Sequence, residues 1–323
     1  MHQPQINPTE LAASLLGDGD WTARPFGAGK FSDVFAIEKN NEQYVLRVAP
    51  SDSVLQTFYE YRMMRREPAI HERILADTDV PVPPIPGHDF SRRLIDRDFL
   101  IMPRFPGRPL SEAALSPEER RRALREWGNI VVRIHSIEEP DGLYGYIGGD
   151  ACMEPQSTWP SAFAVMYRKL LDDIVSCGVY DAKTGREAYS LLESRLDSFD
   201  NDPKPVLCHG DLWVTNLLVE DTGEVTALVD FDRGCWGDIE WDLAIAEYCG
   251  VTSEPFLQGY GRRVETRAGN AGIRRFFYLL YEHQKYIVIS MSARRNDPAR
   301  ARRYASECLG AMESFRKTGR PVF

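Results

Sequence analysis

The chain has 323 residues, 43% hydrophobic and 27% charged, a composition that fits a globular protein large enough for two lobes with separate cores. Its formal net charge of -9 argues against nucleic acid as the main partner, because binding to a phosphate backbone selects a basic surplus. The six cysteines show no paired metal-type spacing, there is no basic-then-apolar leader, and no apolar run reaches membrane-spanning length, so we expect a reduced, cytoplasmic protein that neither enters nor crosses a membrane.

The first predicted element is a short helix, about Pro8 to Leu16. Alternating apolar residues then flank a glycine turn from Phe26 to Ile37, which reads as strand, glycine loop, strand. The loop residues are Gly27, Ala28, Gly29, Lys30, Phe31 and Ser32. A Walker A motif ending at Gly29-Lys30 needs glycine at Arg24 and Ser or Thr at Phe31, and has neither. A dinucleotide fingerprint from Gly27 needs glycine or alanine at Ser32 followed by a helix, whereas Val34 to Ile37 alternates like a strand. What remains is a hairpin whose backbone N–H groups, Ala28 to Ser32, are placed to hold phosphates. A third strand runs from Gln43 to Val48 and carries Arg47, a charge among apolar neighbours that needs an anionic partner or a phosphate. Glu67, with Glu72 as the alternative, is the candidate partner, on or beside helical patterns at Val54 to Arg66 and Pro68 to Leu75.

Prolines extend the chain from Val80 to Gly87, and Asp98 to Met102 reads as a buried strand. The Pro103-Arg-Phe-Pro-Gly107 run that follows breaks the composition, so we divide the chain into an N-terminal lobe (1–102), a hinge (103–107) and a C-terminal lobe (108–323). At such a hinge, after Met102, an adenine can donate to the Pro103 carbonyl and accept from the Phe105 N–H. Helical periodicity then predicts Pro117 to His135, Trp159 to Ser176, Thr184 to Leu196, Ile239 to Cys249, Ile273 to Ser290 and Pro298 to Thr318. Short strands are expected at Pro205 to Cys208, Leu217 to Val219 and Ala227 to Val229. The arginine clusters near 120 and 300 read as solvated helix faces.

Those short strands bracket the most informative residues. Asp211 in His209-Gly-Asp211 is placed to accept a hydroxyl proton, Asn216 offers a neutral oxygen five positions later, and Asp230 in Val229-Asp-Phe-Asp232 supplies an anionic metal ligand. This spacing is that of phosphoryl transfer from ATP with Mg²⁺, with one ion shared by Asn216 and Asp230 and a second held mainly by Asp230. His209 reads as a brace for the loop, Asp238 as a helix N-cap and Asp242 as a second brace. A phosphatase of the haloacid dehalogenase type starting at Asp230 is disfavoured, because Gly234 stands where Thr or Val is needed and only about ninety residues remain for its core. The acids Asp238, Glu240, Glu247, Glu254 and Glu282, all after the catalytic loop, raise the expectation of a field favouring an amine-bearing acceptor.

Taken in order, the glycine loop, Tyr44-Val-Leu-Arg-Val48, Arg66-Glu67, the hinge, Ile134-His-Ser136, His209-Gly-Asp-Leu-Trp-Val-Thr-Asn216, Val229-Asp-Phe-Asp232 and Gly237-Asp-Ile-Glu-Trp-Asp-Leu-Ala244 resemble the aminoglycoside phosphotransferase family, related to choline and fructosamine kinases. The resemblance implies an α+β, protein kinase-like two-lobe fold, with a small antiparallel-sheet N-lobe and a larger helical C-lobe. It implies ATP and Mg²⁺ as cofactors and a small-molecule hydroxyl as acceptor: an aminoglycoside-like or other amine-bearing compound, or alternatively a ketosamine, sugar or amino alcohol. Arg47 stands where the family usually has lysine, and Val214-Thr215 departs from the small-residue pair of fructosamine kinases. The rival outside enzymes is a silent nucleotide-binding module.

Overall fold

The computed structural model describes residues 6–27, 32–52, 56–148, 152–201, 203–261, 269–292 and 295–321. Helix α1 (Pro8–Leu16) begins with proline in its first turn and ends at Gly17, whose positive φ of 87° suits a residue without a side chain. Strands β1 (Thr22–Pro25), β2 (Asp33–Lys39) and β3 (Glu42–Val48) follow. Asn40 and Asn41 join β2 to β3 with φ of 53° and 66°, the left-handed pair that a two-residue hairpin turn demands. Helix α2 (Glu67–Asp77) precedes β4 (Gly87–Asp89) and β5 (Phe99–Pro103). The five strands form one antiparallel sheet in the order β1-β2-β3-β5-β4.

Strand alternation gives this sheet two different faces. Ile37, Leu46, Val48, Phe99 and Ile101 pack under Leu11 and Ala12 of α1. Leu100 and Met102 cluster on the opposite face with Ala49, Met64 and Val45. Register places Arg47 beside Leu100, so its side chain emerges on that second face, towards α2.

The expected helix from Val54 to Arg66 is not what forms. Residues 53–55 lie outside the described residues, and beyond them the chain makes two single turns of 3-10 helix, Phe58–Glu60 and Met63–Arg66. Arg62 between them has φ of 52°, which no α-helix accommodates. Tertiary partners replace the helical ladder: the Phe58 N–H donates to the Asp173 carboxylate at 2.7 Å, and Arg66 donates to the Tyr59 carbonyl at 2.7 Å. We refer to residues 57–66 as the strap.

The rest is predominantly helical. Strand β6 (Arg108–Pro109) is followed by α3 (Pro117–Ile134), β7 (Gly145–Tyr146), α4 (Trp159–Ser176) and α5 (Ala182–Glu193). Strands β8 (Val206–Cys208), β9 (Leu217–Val219), β10 (Val225–Leu228) and β11 (Cys235–Gly237) build two small antiparallel sheets, β10-β9-β6 and β7-β11-β8. Helices α6 (Ile239–Tyr248), α7 (Glu254–Tyr260), α8 (Gly269–Met291) and α9 (Pro298–Thr318) complete the chain. An aromatic core around Trp159, Phe163, Tyr278 and Tyr281 ties α4, α6 and α8 together, while a second around Trp127, Leu217 and Phe231 lies under the β8–β10 loops. Helix α7 escaped the sequence reading because it is one short turn pair, held where Gly128 of α3 and Gly259 let the two backbones touch. Among the described residues, no helix is long and apolar enough to cross a membrane.

Candidate active site

The loop from His209 to Asn216 leaves β8 at Gly210, which has φ of 77°. A Cβ there would lie 2.4 Å from the Arg233 carbonyl, so only glycine lets this loop rest directly on the loop after Asp230. Asp242, fully buried in the first turns of α6, accepts from the His209 and Gly210 backbone N–H groups, both at 2.9 Å, and contacts His135 Nε2 at 3.1 Å. Burial works to raise the Asp242 pKa, but His135, His209 and the Gly210 N–H outweigh it and hold the carboxyl below its ordinary range. His209 Nε2 sits 3.1 Å from the Val229 carbonyl, linking the two loops. His209 and Asp242 thus each join the 209–216 loop to a neighbouring segment, and Asp238 caps α6 through the Glu240 N–H.

Within the loop, Asn216 Nδ2 donates to the Asp211 carbonyl at 2.9 Å and more weakly to Asp211 Oδ2 at 3.3 Å. Its amide hydrogens are thus turned towards Asp211, and its Oδ1 accepts from Thr215 Oγ1 at 3.3 Å. Asp211 Oδ1 pairs with Arg233 at 3.0 Å. Burial pushes the Asp211 carboxyl up, but Arg233 and Lys285 prevail and hold it below the usual carboxylate range.

Asp230 has φ of 73°, an uncommon conformation for a non-glycine residue and one that recurs at functional sites. Arg47 reaches it at 2.8 Å and holds Glu67 through one guanidinium nitrogen at 2.6 and 2.7 Å, so the partner is Glu67 and not Glu72. Asp232, also 3.4 Å from Arg47, joins Glu67 and Asp230 in a cluster of carboxylate oxygens within 4.8 Å of one another. Burial, then Asp230 and Glu67, push the Asp232 carboxyl well above its usual range. Burial likewise raises Glu67 to about 7 against the pull of Arg47. Three acids around one arginine form an anionic surplus that a hard divalent cation would relieve, and the all-oxygen donor set suits Mg²⁺.

Of the glycine loop, Gly27 has φ of 71° and Ser32 is buried, lining a small cavity with Asp232 and Glu60. Ala28, Gly29, Lys30 and Phe31 lie outside the described residues. Met102 is buried beside Leu100, while Pro103 and Phe105 are half-buried. Arg104 N–H donates to the Gln43 carbonyl at 2.8 Å, which makes Tyr44 and Pro103 a wide, non-hydrogen-bonded pair and turns the Pro103 carbonyl away from β3.

The expected acidic field is largely used up inside the protein. Asp238 is buried against Tyr278, Glu240 is forked onto Arg274 at 2.7 and 2.9 Å, and Glu247 onto Arg275 at 2.6 and 2.7 Å. Glu282 is buried against Lys285, and Glu254 binds Gln258 one turn away. The sequence reading gave no role to Asp232, Arg233 or Arg66. The signal available for each was adjacency: one stands two residues after a metal-ligand candidate, one follows it, and one precedes the Arg47 partner.

Residues 22–276 match the model of the phosphotransferase enzyme family. A probable ketoamine kinase of Staphylococcus aureus is 30% identical over 171 residues, 49% of this chain and 56% of that protein. Another from Vibrio vulnificus is 25% identical over 240 residues, 72% of this chain and 74% of that one. The chain thus spans little more than half the length of the first of these relatives. Among solved structures, a candidate fructosamine-3-kinase of Haemophilus somnus superposes with a TM-score of 0.66 at 17% identity, covering 94% of this chain and 96% of that one. An aminoglycoside phosphotransferase in complex with AMP-PNP and hygromycin B gives 0.64 at 19% identity, covering 95% and 98%. The two-lobe, protein kinase-like fold is therefore shared with these enzymes, and with the family match covering most of its length the chain belongs to the phosphotransferase enzyme family.

Proposed function

We propose that the protein transfers the γ-phosphate of ATP to a hydroxyl of a small molecule. The observation that carries this reading is that Asp211 and Asn216 share one loop, held at its start by the buried Asp242, and that this loop is tied to the one bearing Asp230 by the Val229 N–H donating to the Asn216 carbonyl at 2.9 Å and by His209 Nε2 at the Val229 carbonyl. Asn216 and Asp230 are the residues that would hold Mg²⁺, which when bound supplies charge neutralisation for the phosphates. Arg47, oriented by Glu67, and the glycine loop Gly27 to Ser32 hold the phosphates. The adenine lies at the hinge, 103–107, between the lobes 1–102 and 108–323, against Met102, with Pro103 and Phe105 offering backbone groups.

Asp211 orients the acceptor hydroxyl towards the γ-phosphorus. A carboxylate is too weak a base to deprotonate an alcohol beforehand, so Asp211 takes the proton late, as the phosphoryl group leaves ADP in a loose transition state. Arg233 pins Oδ1, so the task falls to Oδ2, which takes only the long 3.3 Å hydrogen bond from Asn216.

The curated relatives favour a ketoamine over an aminoglycoside as acceptor, and the internally paired acids agree, since a polycation would find few free carboxylates. Incubation with γ-labelled ATP and Mg²⁺ over ketosamines, amino alcohols, sugars and aminoglycosides tests this. Label should pass to a ketosamine first. Label passing to none, with ATP binding intact, would favour a silent nucleotide-binding module.

A further inference from the structure

Arg66 is a buried guanidinium, 3% exposed, and among the described residues no carboxylate lies within ion-pairing distance of it. Burying a charge without a counter-ion is costly, and a methionine or leucine would fill the same space more cheaply. The charge is met instead by backbone: one nitrogen donates to the Asp232 carbonyl at 3.0 Å, the other to the Tyr59 carbonyl at 2.7 Å. Among the described residues it also meets the Cys152 sulfur at 3.4 Å and the face of Tyr146, 4.9 Å from its ring centre.

These two carbonyls belong to different parts of the site. Asp232 is in the turn that follows Asp230, and its neighbour Arg233 grips Asp211. Tyr59 is in the strap; its ring stacks on Tyr146 with centres 5.5 Å apart and lies 5.8 Å from the Arg233 guanidinium. The next residue, Glu67, reaches Asp230 through Arg47. Two consecutive residues at the start of α2 therefore hold the metal loop twice, by its backbone through Arg66 and by its carboxylate through Glu67.

We propose that Arg66 is a positioning residue that sets the Asp230–Arg233 turn for metal binding and keys the strap against it. The inference rests on the phosphotransferase reading of that loop, and its test needs no acceptor. Thermal stabilisation by AMP-PNP is followed as Mg²⁺ is titrated, in wild type, Arg66→Met, Arg66→Lys and Arg274→Met. The last removes another buried arginine, one that binds the Glu240 carboxylate and the Ser198 carbonyl rather than the strap or the Asp230–Arg233 turn. The Mg²⁺ concentration for half-maximal stabilisation should rise at least about tenfold in Arg66→Met and less in Arg66→Lys, whose single ammonium keeps the charge but spans the two carbonyls poorly. It should stay at the wild-type value in Arg274→Met, however much the melting temperature falls. Half-saturation within about twofold of wild type in Arg66→Met would overturn the proposal; should that variant not fold, the same result in Arg66→Lys would do so. Equal weakening in Arg274→Met would reduce Arg66 to general stability and overturn it too. A wild type that AMP-PNP stabilises equally with and without Mg²⁺ would instead sink the phosphotransferase reading itself.

Discussion

The two sides of Asp211 are built by different means. Around Arg47, three carboxyl groups share one guanidinium, and Glu67 and Asp232 are pushed up from their ordinary carboxylate range. Beyond the Asp230–Arg233 turn, Glu240, Glu247 and Glu282 each have their own cation, and Asp211 itself faces Arg233. The first side is poised for a cation that the protein does not supply, while the second is balanced from within. Acid counts along a sequence do not distinguish these cases; only the location of the arginines does.

The largest effect expected from this contrast is at its dividing residue. Asp211→Asn should keep the fold and the response to ATP with Mg²⁺, yet lose on the order of 10² to 10⁴ in kcat, measured by single-turnover phosphotransfer. Next is the brace. Asp242→Ala leaves the His209 and Gly210 N–H groups buried without acceptors and should cost about 3 to 5 kcal/mol in urea unfolding, several times the effect of an exposed substitution. A loss below about 1 kcal/mol would show that the loop is held by other means.

Glu247→Gln sharpens the acceptor side. If this acid is internal, the change should destabilise by about 1 kcal/mol while leaving the acceptor KM within about twofold. A KM rise of tenfold or more at unchanged stability would restore the acidic-field idea. A further test concerns the strap. Burial raises the Asp173 carboxyl to about 6 although the Phe58 N–H opposes this, so folding favours its protonated form. That contribution is whole below the ordinary value of 3.8 and is lost as pH rises through 6. Asp173→Asn keeps an acceptor for Phe58, and should therefore gain on wild type by about 1 to 2 kcal/mol between pH 4 and 7.5, allowing for partial solvent screening. A gap that is constant with pH would contradict the buried anchor.

Legibility in the sequence followed the range of the forces involved. Helices Trp159–Ser176 and Pro298–Thr318 were readable because caps and periodicity are local. The strap was not, because its helical pattern lost to Asp173 and Asp232, partners more than a hundred positions away. Strands β6, β7 and β11 are two or three residues long and exist through pairing alone. The same rule divides the site: Asp211, Asn216 and Asp230 lie within twenty residues of sequence, whereas the Arg66 contacts cross from one lobe to the other. The acids after the catalytic loop were visible in the sequence while the arginines that pair Glu240 and Glu247 were not, because a carboxylate shows in a sequence and its partner does not.

The central claim is that Asp230 makes nucleotide binding depend on a metal ion. A thermal-shift comparison of ATP with Mg²⁺ against ATP with chelator, in wild type and Asp230→Ala, addresses it directly. At a hundredfold excess over Kd, binding adds about 2.7 kcal/mol to the native state, an easily measured shift. Wild type should be stabilised more with Mg²⁺ than with chelator, and Asp230→Ala should lose most of that difference while remaining folded. Equal stabilisation by ATP with and without metal, unaffected by the substitution, would contradict the account.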